Sequence, residues 1–407
     1  PDSIGMPDLG AEEWTPFWEV CNDLEIPVID FGAKPGDALD DGPGIQRAID
    51  AATEAGGGVV QIPAGEWRLE TRLEIRADNV VLRGAGSGLT KLNCPKSLTD
   101  ILGANVNWSW SGGLISMAPG KGPRQLVGEV TGTYDRNGTS FTVDLASGAQ
   151  PPQPGEWLQL RWHNDTGQDT LLLEMHGGYL PRSKMGEELQ ESSSPRVKAW
   201  VQVQSFTEGR VSIDAPLRLP LRPEWACTLN RAPNIRECGV EGLSFLFPET
   251  DYPGHLKELG YNGIGMEGAI DCWVSDIRTH NADSGILIGN SKRVTVQDVA
   301  LAGRYMHHPL SLSWSTDCLV QDWRIEAPHR HGTTISWSSH GNVFRGGYGV
   351  DLAMDSHRAA SFENLHENIV IEVTGKPQQP LRSGGSSNRG PHAGTRNIYW
   401  NVELRFP

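Results

Sequence analysis

The residues best suited to chemistry are four polar side chains that follow one another at intervals of 24 positions: Asp283, His307, His331 and Asp355. Seven of the twelve histidines lie between His307 and His366, a high density for a purely structural segment. Imidazole exchanges protons near neutral pH, so histidines and carboxylates gathered in one groove indicate proton transfer.

Arginine accompanies these histidines. Arg330 comes directly before His331, and His357 and Arg358 follow Asp355 by two and three positions. A guanidinium group binds a carboxylate through two parallel hydrogen bonds, so this segment is suited to binding an anion. For any single member, the alternative is a structural ladder of polar side chains stacked at successive turns. As a group, six residues are predicted to form a catalytic site: His307, Arg330, His331, Asp355, His357 and Arg358.

This set fits β-elimination on a uronic acid better than glycoside hydrolysis. Elimination needs a cation to neutralise the sugar carboxylate, a base for the adjacent proton and an acid for the leaving oxygen, and arginine and histidine can supply all three. A hydrolase needs two carboxylates about 5 Å or roughly 6.5–9.5 Å apart. Asp283 and Asp355 would lie three strand spacings apart, about 14 Å. Other acids, such as Glu326, Asp351 and Glu363, leave hydrolysis open.

Five further residues are predicted to contact substrate. Asp283 belongs to the 24-residue column, and Trp314 and Trp337 lie on the same repeats as His307 and His331. Indole faces stack on sugar rings, although packing is the alternative role for each tryptophan. The other two residues, Arg389 and His392, lie in a glycine-bounded loop that is predicted to clamp substrate or to be simply solvated.

A repeated pattern predicts the elements that hold these residues. Four similar segments begin 22, 24 and 24 residues apart. Their first residues are Val274, Val296, Val320 and Phe344. This period corresponds to one turn of a parallel β-helix, in which equivalent residues stack about 4.8 Å apart. A further copy at Val240 lies 34 residues upstream of the first, which predicts an extra loop near residues 252–261.

An N-terminal motif points to the same fold. It contains Ile29-Asp-Phe-Gly-Ala33, Asp40-Asp-Gly42, an amphipathic stretch from Ile45 to Ala52, and the glycine-rich run 56–65. The apolar spacing at 45–52 predicts a short helix that caps the open end of a solenoid. The motif resembles the N-terminal signature of the pectate-lyase-like superfamily of right-handed parallel β-helices. Members include pectate lyases, polygalacturonases, other polysaccharide lyases and phage tailspike depolymerases, so the resemblance implies the fold more than the reaction.

No cofactor and no metal site are predicted. Asp37, Asp40 and Asp41 could bind calcium, but the resemblance implies that they form a structural turn and helix cap. The six cysteines form no zinc-binding pair. Cys238 and Cys272 precede repeat starts by two residues, as Cys318 also does, so the three are expected to be buried in one inward-facing column; a Cys238–Cys272 bridge is the alternative.

Four regions are predicted along the chain. Residues 1–24 are an N-terminal extension, and residues 25–94 contain the capping helix and the first rungs. Residues 95–235 lose the repeat and are predicted to form a β-rich insertion, with a loop at 163–199 that could close over a groove. Residues 236–407 carry the main rungs, a C-terminal loop and a last strand.

The charge restricts the partners. A formal net charge of −15 argues against nucleic acid and anionic membranes, which select for clustered Lys and Arg. No run of eighteen apolar residues predicts a membrane span. A chain that begins at Pro1 is expected to be a mature secreted or periplasmic form, or a trimmed sequence.

These observations predict an all-β protein, a right-handed parallel β-helix with a short N-terminal capping helix and a β-rich insertion. The predicted function is cleavage of a uronic-acid-containing polysaccharide by β-elimination. A glycoside hydrolase on the same scaffold is the first alternative. A non-catalytic glycan-binding or tailspike-like adhesin is the second. The partner is a polysaccharide or oligosaccharide, and the protein is expected to be a monomer or a trimer.

Overall fold

The computed structural model describes residues 24–165, 167–179, 183, 185–190, 194–374 and 379–407. Two long parallel sheets run side by side through most of this length. Sheet A has thirteen strands: Glu25–Pro27, Gly58–Ile62, Gly65–Arg68, Val80–Gly84, Thr90–Asn93, Gly239–Leu246, Trp273–His280, Thr295–Ala302, Leu319–Ile325, Val343–Arg345, Tyr348–Val350, Leu365–Glu372 and Ile398–Arg405. Sheet B has seven: Leu73–Ile75, Ile115–Met117, Asn262–Glu267, Ser284–Gly289, His308–Ser313, Thr333–Ser336 and Met354–Ser356.

A third, narrower side closes each turn. Ile235–Arg236 pairs in parallel with Ala269–Ile270, and single bridges continue this ladder. The bridges link Ile270 to Lys292, Thr316, His340 and Phe362 in succession. The chain therefore winds as a three-sided parallel β-helix, as the repeat predicted.

The repeat residues pair in register along sheet A. Val240, Val274, Val296, Val320 and Phe344 are successive partners, and each is at most 1% exposed. Apolar side chains at one position per turn thus form a continuous inward column, which buries the surface that stabilises a solenoid. The predicted register of this sheet is confirmed.

The cysteines follow the same logic. Cys238, Cys272 and Cys318 are at most 1% exposed and carry free thiols. The backbone N–H of Cys238 lies 3.4 Å from Cys272 Sγ, so the two residues stack on adjacent turns without a bridge. Their predicted inward-facing position is confirmed, whereas the alternative of a bridge is not what the structure has. Cys21 lies outside the described residues.

The N-terminal end is capped as predicted. The helix Gly42–Glu54 buries Ile45, Ala48, Ile49 and Ala52 against the first strands. Shorter helices are Leu98–Leu102, Thr170–Met175 and Glu187–Gln190, with 3₁₀ turns at Val28–Phe31, Val106–Ser109, Pro223–Trp225 and Ser387–Arg389. Among the described residues, no helix is long and apolar enough to cross a lipid bilayer.

Asp40 and Asp41, the acids considered above as calcium ligands, accept hydrogen bonds from the backbone near this helix. The carboxylate of Asp41 accepts hydrogen bonds from the backbone N–H groups of Lys34 and Arg68 at 2.7 and 2.8 Å. Asp40 accepts from the N–H groups of Gly42 and Glu70 at 3.0 and 2.9 Å. These acids therefore hold the turn and the helix entry against the neighbouring rung.

The insertion is a closed antiparallel barrel of six strands. Its strands are Gln125–Thr131, Ser140–Leu145, Trp157–His163, Pro195–Thr207, Arg210–Ile213 and Thr228–Arg231. The strand Ile115–Met117, which lies within the region 95–235, pairs with sheet B of the β-helix. The barrel has its own apolar core, which includes Ala359, Ala360 and Phe362 from the last turns of the β-helix. Parts of the predicted closing loop at 163–199 lie outside the described residues.

The turns from sheet A to sheet B lie along one edge of the solenoid. They comprise residues 281–283, 303–307, 326–332 and 351–353 on four successive turns. In the turn before them, residues 247–261 form the long loop that the irregular spacing predicted. This edge, together with the outer side of sheet B, positions the candidate site.

Candidate active site

The first functional pair is formed by His331 and Asp355, two of the predicted residues. His331 Nδ1 lies 2.5 Å from Asp355 Oδ2, and both side chains are almost completely buried. A carboxylate only accepts hydrogen bonds, so Nδ1 carries the proton and Nε2 carries a lone pair. Nε2 is buried and contacts no hydrogen-bonding partner among the described residues. The pair thus presents an oriented, unprotonated nitrogen.

The backbone register of this column differs in part from the prediction. The N–H of His307 donates to the carbonyl of Asp283, and the N–H of His331 donates to that of His307, so the first two 24-residue steps hold. At the third step the strands shift, and Asp355 pairs with Thr334 rather than with His331. The turn at 351–353 is shorter than its predecessor, which produces this shift, and the side chains of His331 and Asp355 are nevertheless in contact.

A second imidazole–carboxylate pair lies beside the first. His307 Nδ1 is 3.2 Å from Glu258 Oε1, and the ring centroids of His307 and His331 are 5.1 Å apart. The hydroxyl of Tyr252 also donates to Glu258. Glu258 and Tyr252 come from the extra loop at 247–261, and sequence analysis missed both.

The spacing of the repeats indicated where Glu258 and Tyr252 would lie. The inserted loop occupies the turn one rung before Asp283, so its residues had to fall on the same edge as the histidine column. His255, in the same loop, lies 4.9 Å from His307 between ring centroids. The repeat spacing located the loop, but it did not indicate which of its side chains would turn inward.

Hydrogen bonding keeps both carboxylates ionised. Burial by itself raises the pKa of Glu258, but hydrogen bonds from His307, Ser109 and Tyr252 outweigh it and lower the pKa to about 2. Burial likewise opposes ionisation of Asp355, and its contacts with His331 and His357 hold its pKa well below the usual range. At neutral pH, the carboxylate of Glu258 therefore lies beside His307 and that of Asp355 beside His331.

Burial has the opposite effect on the imidazoles themselves. It lowers the pKa of His331 to about 3, although the hydrogen bond to Asp355 works against this shift. Burial and the neighbouring His307 and His331 lower the pKa of His308 well below its ordinary value. His308 stacks on His331 with centroids 4.6 Å apart, and its Nδ1 lies 3.2 Å from Thr334 Oγ1. The imidazoles of His331 and His308 are therefore neutral near pH 7.

The same cluster contains two sets of side chains that could hold a metal ion. His255, His307 and His331 form one set, and His331, Asp355 and His357 form the other. In each set the ligand atoms lie within 4.8 Å of one another. Nitrogen-rich donor sets of this kind suit zinc or another late transition metal better than calcium, which prefers oxygen ligands.

Three arginines border the cluster. Arg382 Nε lies 3.8 Å from Asp355 Oδ2, and its Nη1 donates to the carbonyl of Arg330 at 2.7 Å. Arg330 itself is exposed at the groove edge. Arg358 follows His357 and lies over the ring of Trp337, 5.7 Å from its centroid. Arg382 was absent from the predicted set because it lies in the C-terminal loop, outside the repeat.

Asp283 supports the loop and is remote from the groove surface. It is 1% exposed, and its Oδ1 lies 2.7 Å from Arg304 Nη2. Its Oδ2 accepts from the backbone N–H groups of Gly260 and Tyr261 at 3.0 and 2.9 Å. The carboxylate of Asp283 therefore anchors the loop at 247–261 and binds Arg304, and its predicted contact with substrate stays a prediction.

Trp314 and Trp337 contact each other, and their predicted contact with substrate stays a prediction. Their rings stack on each other with centroids 5.3 Å apart and planes inclined by 12°. Lys198 Nζ lies 4.1 Å above Trp314, and the guanidinium of Arg389 lies 5.3 Å from the centroid of Trp337. The indole faces are occupied by each other and by cations, so a sugar in the groove meets the edges of the rings.

The C-terminal loop brings its two predicted residues to this end of the groove. Arg389 Nε pairs with Glu188 Oε2 at 2.6 Å, which joins the loop to the helix Glu187–Gln190. His392 is half-buried, and burial together with the nearby His357 lowers its pKa. Both residues lie next to the predicted catalytic side chains, although they are far from them in sequence.

The architecture matches known proteins. Residues 26–107 match the family described as "Rhamnogalacturonase A/epimerase, pectate lyase-like". Tailspike gp61 of Pseudomonas phage phi297 superposes with a TM-score of 0.59 at 12% identity, over 95% of this chain and 64% of that one. The fold is a right-handed parallel β-helix. Tailspike gp49 of Pseudomonas phage LKA1 shares this β-helix, with a TM-score of 0.53 at 9% identity, over 93% of this chain and 64% of that one.

The proteins that are similar in sequence match only a part of this chain. Alginate lyase 7 of Azotobacter vinelandii is 35% identical over 138 residues, which is 30% of this chain and 16% of that protein. Mannuronan C5-epimerase AlgE4 of the same organism is 45% identical over 73 residues, which is 16% of this chain and 13% of the epimerase. The chain therefore spans only a small part of the length of these relatives.

Proposed function

We propose that this protein is a carbohydrate-active enzyme that cleaves a uronic-acid-containing polysaccharide by β-elimination. His331 Nε2 removes the proton at C5 of the uronate, and the electron pair forms the C4=C5 double bond as the C4–O4 bond breaks. His307, in its protonated form, gives a proton to O4 of the departing chain. Arg330 and Arg382 neutralise the uronate carboxylate, which stabilises the charge that develops at C5.

The observation that carries the proposal is the presence of two imidazole–carboxylate pairs in contact. Asp355 stabilises the imidazolium that His331 becomes, and Glu258 Oε1 lies 3.2 Å from Nδ1 of His307, the proposed acid. A base and an acid a few ångströms apart are what elimination across C4–C5 requires.

The same geometry disfavours the hydrolase alternative. A glycosidase needs one carboxyl group that is protonated and can give its proton to the leaving oxygen. Glu258 and Asp355 are both ionised by their hydrogen bonds, and both are buried behind histidine rings. His331 Nε2 has no hydrogen-bonding partner among the described residues, so an imidazole rather than a carboxylate is available to transfer a proton.

The sequence relatives support uronate chemistry and suggest a second candidate. Alginate lyase 7 and the mannuronan C5-epimerases are named for reactions on uronate polymers. Lyase and C5-epimerase chemistry share the removal of the C5 proton, and an epimerase then returns a proton to the opposite face. Epimerisation at the same site is therefore the alternative that the relatives favour.

The test is a screen of the full chain against mannuronate, guluronate, galacturonate and glucuronate polymers, with ultraviolet absorbance and reducing ends measured together. The proposal expects a 4,5-unsaturated product, which is lost in His331→Ala and retained in His280→Ala, an exposed histidine on sheet A. Reducing ends without unsaturation would refute elimination. Deuterium incorporation from D₂O at C5 without chain cleavage would instead establish the epimerase.

We also propose a secreted or periplasmic location and a monomeric or trimeric state, because a polymeric uronate is met outside the cytoplasm. Turnover is proposed to need no added cofactor. Activity that disappears with a chelator and returns with zinc or calcium would contradict this part and direct attention to the donor sets around His331.

A further inference from the structure

Two basic residues of the barrel face each other directly. Arg161 and Lys198 are cross-strand partners on the antiparallel strands Trp157–His163 and Pro195–Thr207. Like charges placed opposite each other in this way destabilise a sheet. Arg161 is 7% exposed, so little solvent screens it. In a chain of net charge −15, such a pair calls for an explanation.

Glu267 is the acid that interacts electrostatically with this pair, through Lys198. Among the described residues, no ion pair within 4.0 Å joins Arg161 or Lys198 to a carboxylate, and Arg161 Nε donates to Gln159 Oε1 at 2.7 Å. Burial and the adjacent Arg161 lower the pKa of Lys198 to about 8. Lys198 Nζ lies 4.1 Å above the ring centroid of Trp314. Burial raises the pKa of the Glu267 carboxyl in spite of Lys198, so the two cations outnumber this acid.

The pair faces the β-helix. Gln159 and Trp200 are cross-strand partners two residues away, on the same side of the barrel. Gln159 Nε2 donates to Asn290 Oδ1, and Trp200 Nε1 donates to the carbonyl of Asn290, each at 2.7 Å. Asn290 directly follows the sheet B strand Ser284–Gly289. This docking fixes Arg161 and Lys198 beside the outer side of sheet B.

A cavity of about 360 Å³ lies on this side of sheet B. Trp314 forms one end of the lining, and Trp110, which is 41% exposed, and Arg72 belong to the same lining. Ser311, also in the lining, pairs with Thr334, which pairs with Asp355. The cavity is thus two strand spacings, about 10 Å, from the catalytic pair along the solenoid axis.

We propose that this cavity, with the Arg161–Lys198 pair above it, is a remote subsite that binds an anionic sugar of the same polymer that the histidine cluster acts on. The identity of the polymer rests on the proposed function. Lys198 and Arg161 bind the carboxylate of the remote sugar, the exposed indole of Trp110 packs on its ring, and Glu267 in the same lining accepts from its hydroxyls. An extended chain spanning both sites would lie along the solenoid axis.

The experiment measures affinity and stability together. Lys198→Gln and Arg161→Gln are compared with Arg210→Gln, which removes the same charge from an exposed barrel position. All are made in the full chain carrying His331→Gln, so that the ligand is not consumed. Calorimetry then gives the Kd for hexasaccharides of mannuronate, guluronate, galacturonate and glucuronate, and for a neutral mannose hexasaccharide. Thermal unfolding gives Tm.

The proposal expects each charge removal at the pair to weaken binding of the preferred uronate hexasaccharide about tenfold, which corresponds to about 1.4 kcal/mol. Tm should stay equal or rise, because a like-charge repulsion is relieved. Arg210→Gln and the neutral ligand should show no such change. A lower Tm with unchanged Kd would mean that Arg161 and Lys198 have a structural role, and it would overturn the proposal. The proposal would also be overturned if the protein with both residues intact bound none of the four uronate hexasaccharides.

Failure of the proposed function gives a different pattern. If His331-intact protein forms no unsaturated product while Lys198→Gln still loses uronate affinity, the subsite stands and the elimination reaction does not. If turnover is seen and Lys198→Gln leaves Kd unchanged for the hexasaccharide, the reaction stands and the subsite does not.

Discussion

One carboxylate oxygen of Asp355 contacts the imidazoles of both His331 and His357. Oδ2 lies 2.5 Å from His331 Nδ1 and 3.4 Å from His357 Nδ1. The anion fixes the tautomer of His331 and aims its lone pair, which is the role that an aspartate takes behind a catalytic histidine. In the proposed mechanism, His331 therefore removes the proton and Asp355 positions His331.

Asp355→Asn tests this division of roles. The amide keeps the shape but cannot stabilise an imidazolium, so kcat on the preferred uronate polymer should fall by about a hundredfold or more. KM should change little, because Asp355 is completely buried and does not contact substrate. Steady-state kinetics with circular dichroism as the folding control measures both. An unchanged kcat would remove Asp355 and His331 from the mechanism.

The strand Leu365–Glu372 contains His366, a histidine that belongs to the core and not to the candidate site. His366 contributed to the histidine density that marked the site, yet it pairs with Phe344 on one side and Tyr399 on the other, in the inward column of sheet A. Its ring stacks between them, with centroids 5.0 and 4.9 Å away. Burial lowers its pKa to about 3, so it is a neutral core residue. His340 is similar, since it stacks on Phe362 at 4.5 Å.

His366→Phe is therefore expected to remove part of the acid sensitivity of the protein. The pKa of His366 is lower in the folded state than in the unfolded state, where it is about 6.5, so unfolded chains bind the extra proton first. Stability contributed by this site is complete above pH 6.5 and is lost as the pH falls toward 3, at up to about 1.4 kcal/mol per pH unit. Urea unfolding of wild type and variant from pH 7 to 4 measures the difference. Equal slopes would contradict the buried neutral state.

Across the whole molecule, two apolar cores share one chain. One fills the β-helix, and the other fills the barrel and extends to Ala359, Ala360 and Phe362 on the last turns. The barrel contacts the β-helix through Gln159 and Trp200, which donate to Asn290 beside sheet B. The solenoid contributes the histidine cluster, and the barrel contributes the Arg161–Lys198 pair. The anionic overall charge leaves this local basic surface as the feature that would attract a polyanion.

Calorimetry should therefore resolve two unfolding transitions, one for each core. Phe362→Ala should destabilise the barrel transition by about 3–5 kcal/mol, because it leaves a cavity in that core. Phe344→Ala makes the same change in the β-helix core and should move the other transition. A single transition that both variants lower equally would mean that the barrel and the β-helix unfold as one unit.

The sequence by itself determined the solenoid, its register along sheet A, the capping helix and the position of the extra loop. Those features follow from apolar periodicity and turn residues, which are local properties of the chain. It also placed His307, His331 and Asp355 on one edge. Only the tertiary structure decided that Glu258 and Arg382 join them, that Asp283 anchors a loop, that His366 is core and that the two tryptophans stack on each other. These outcomes depend on how irregular loops and the barrel pack against the solenoid, and such contacts between distant segments leave no periodic trace in the sequence.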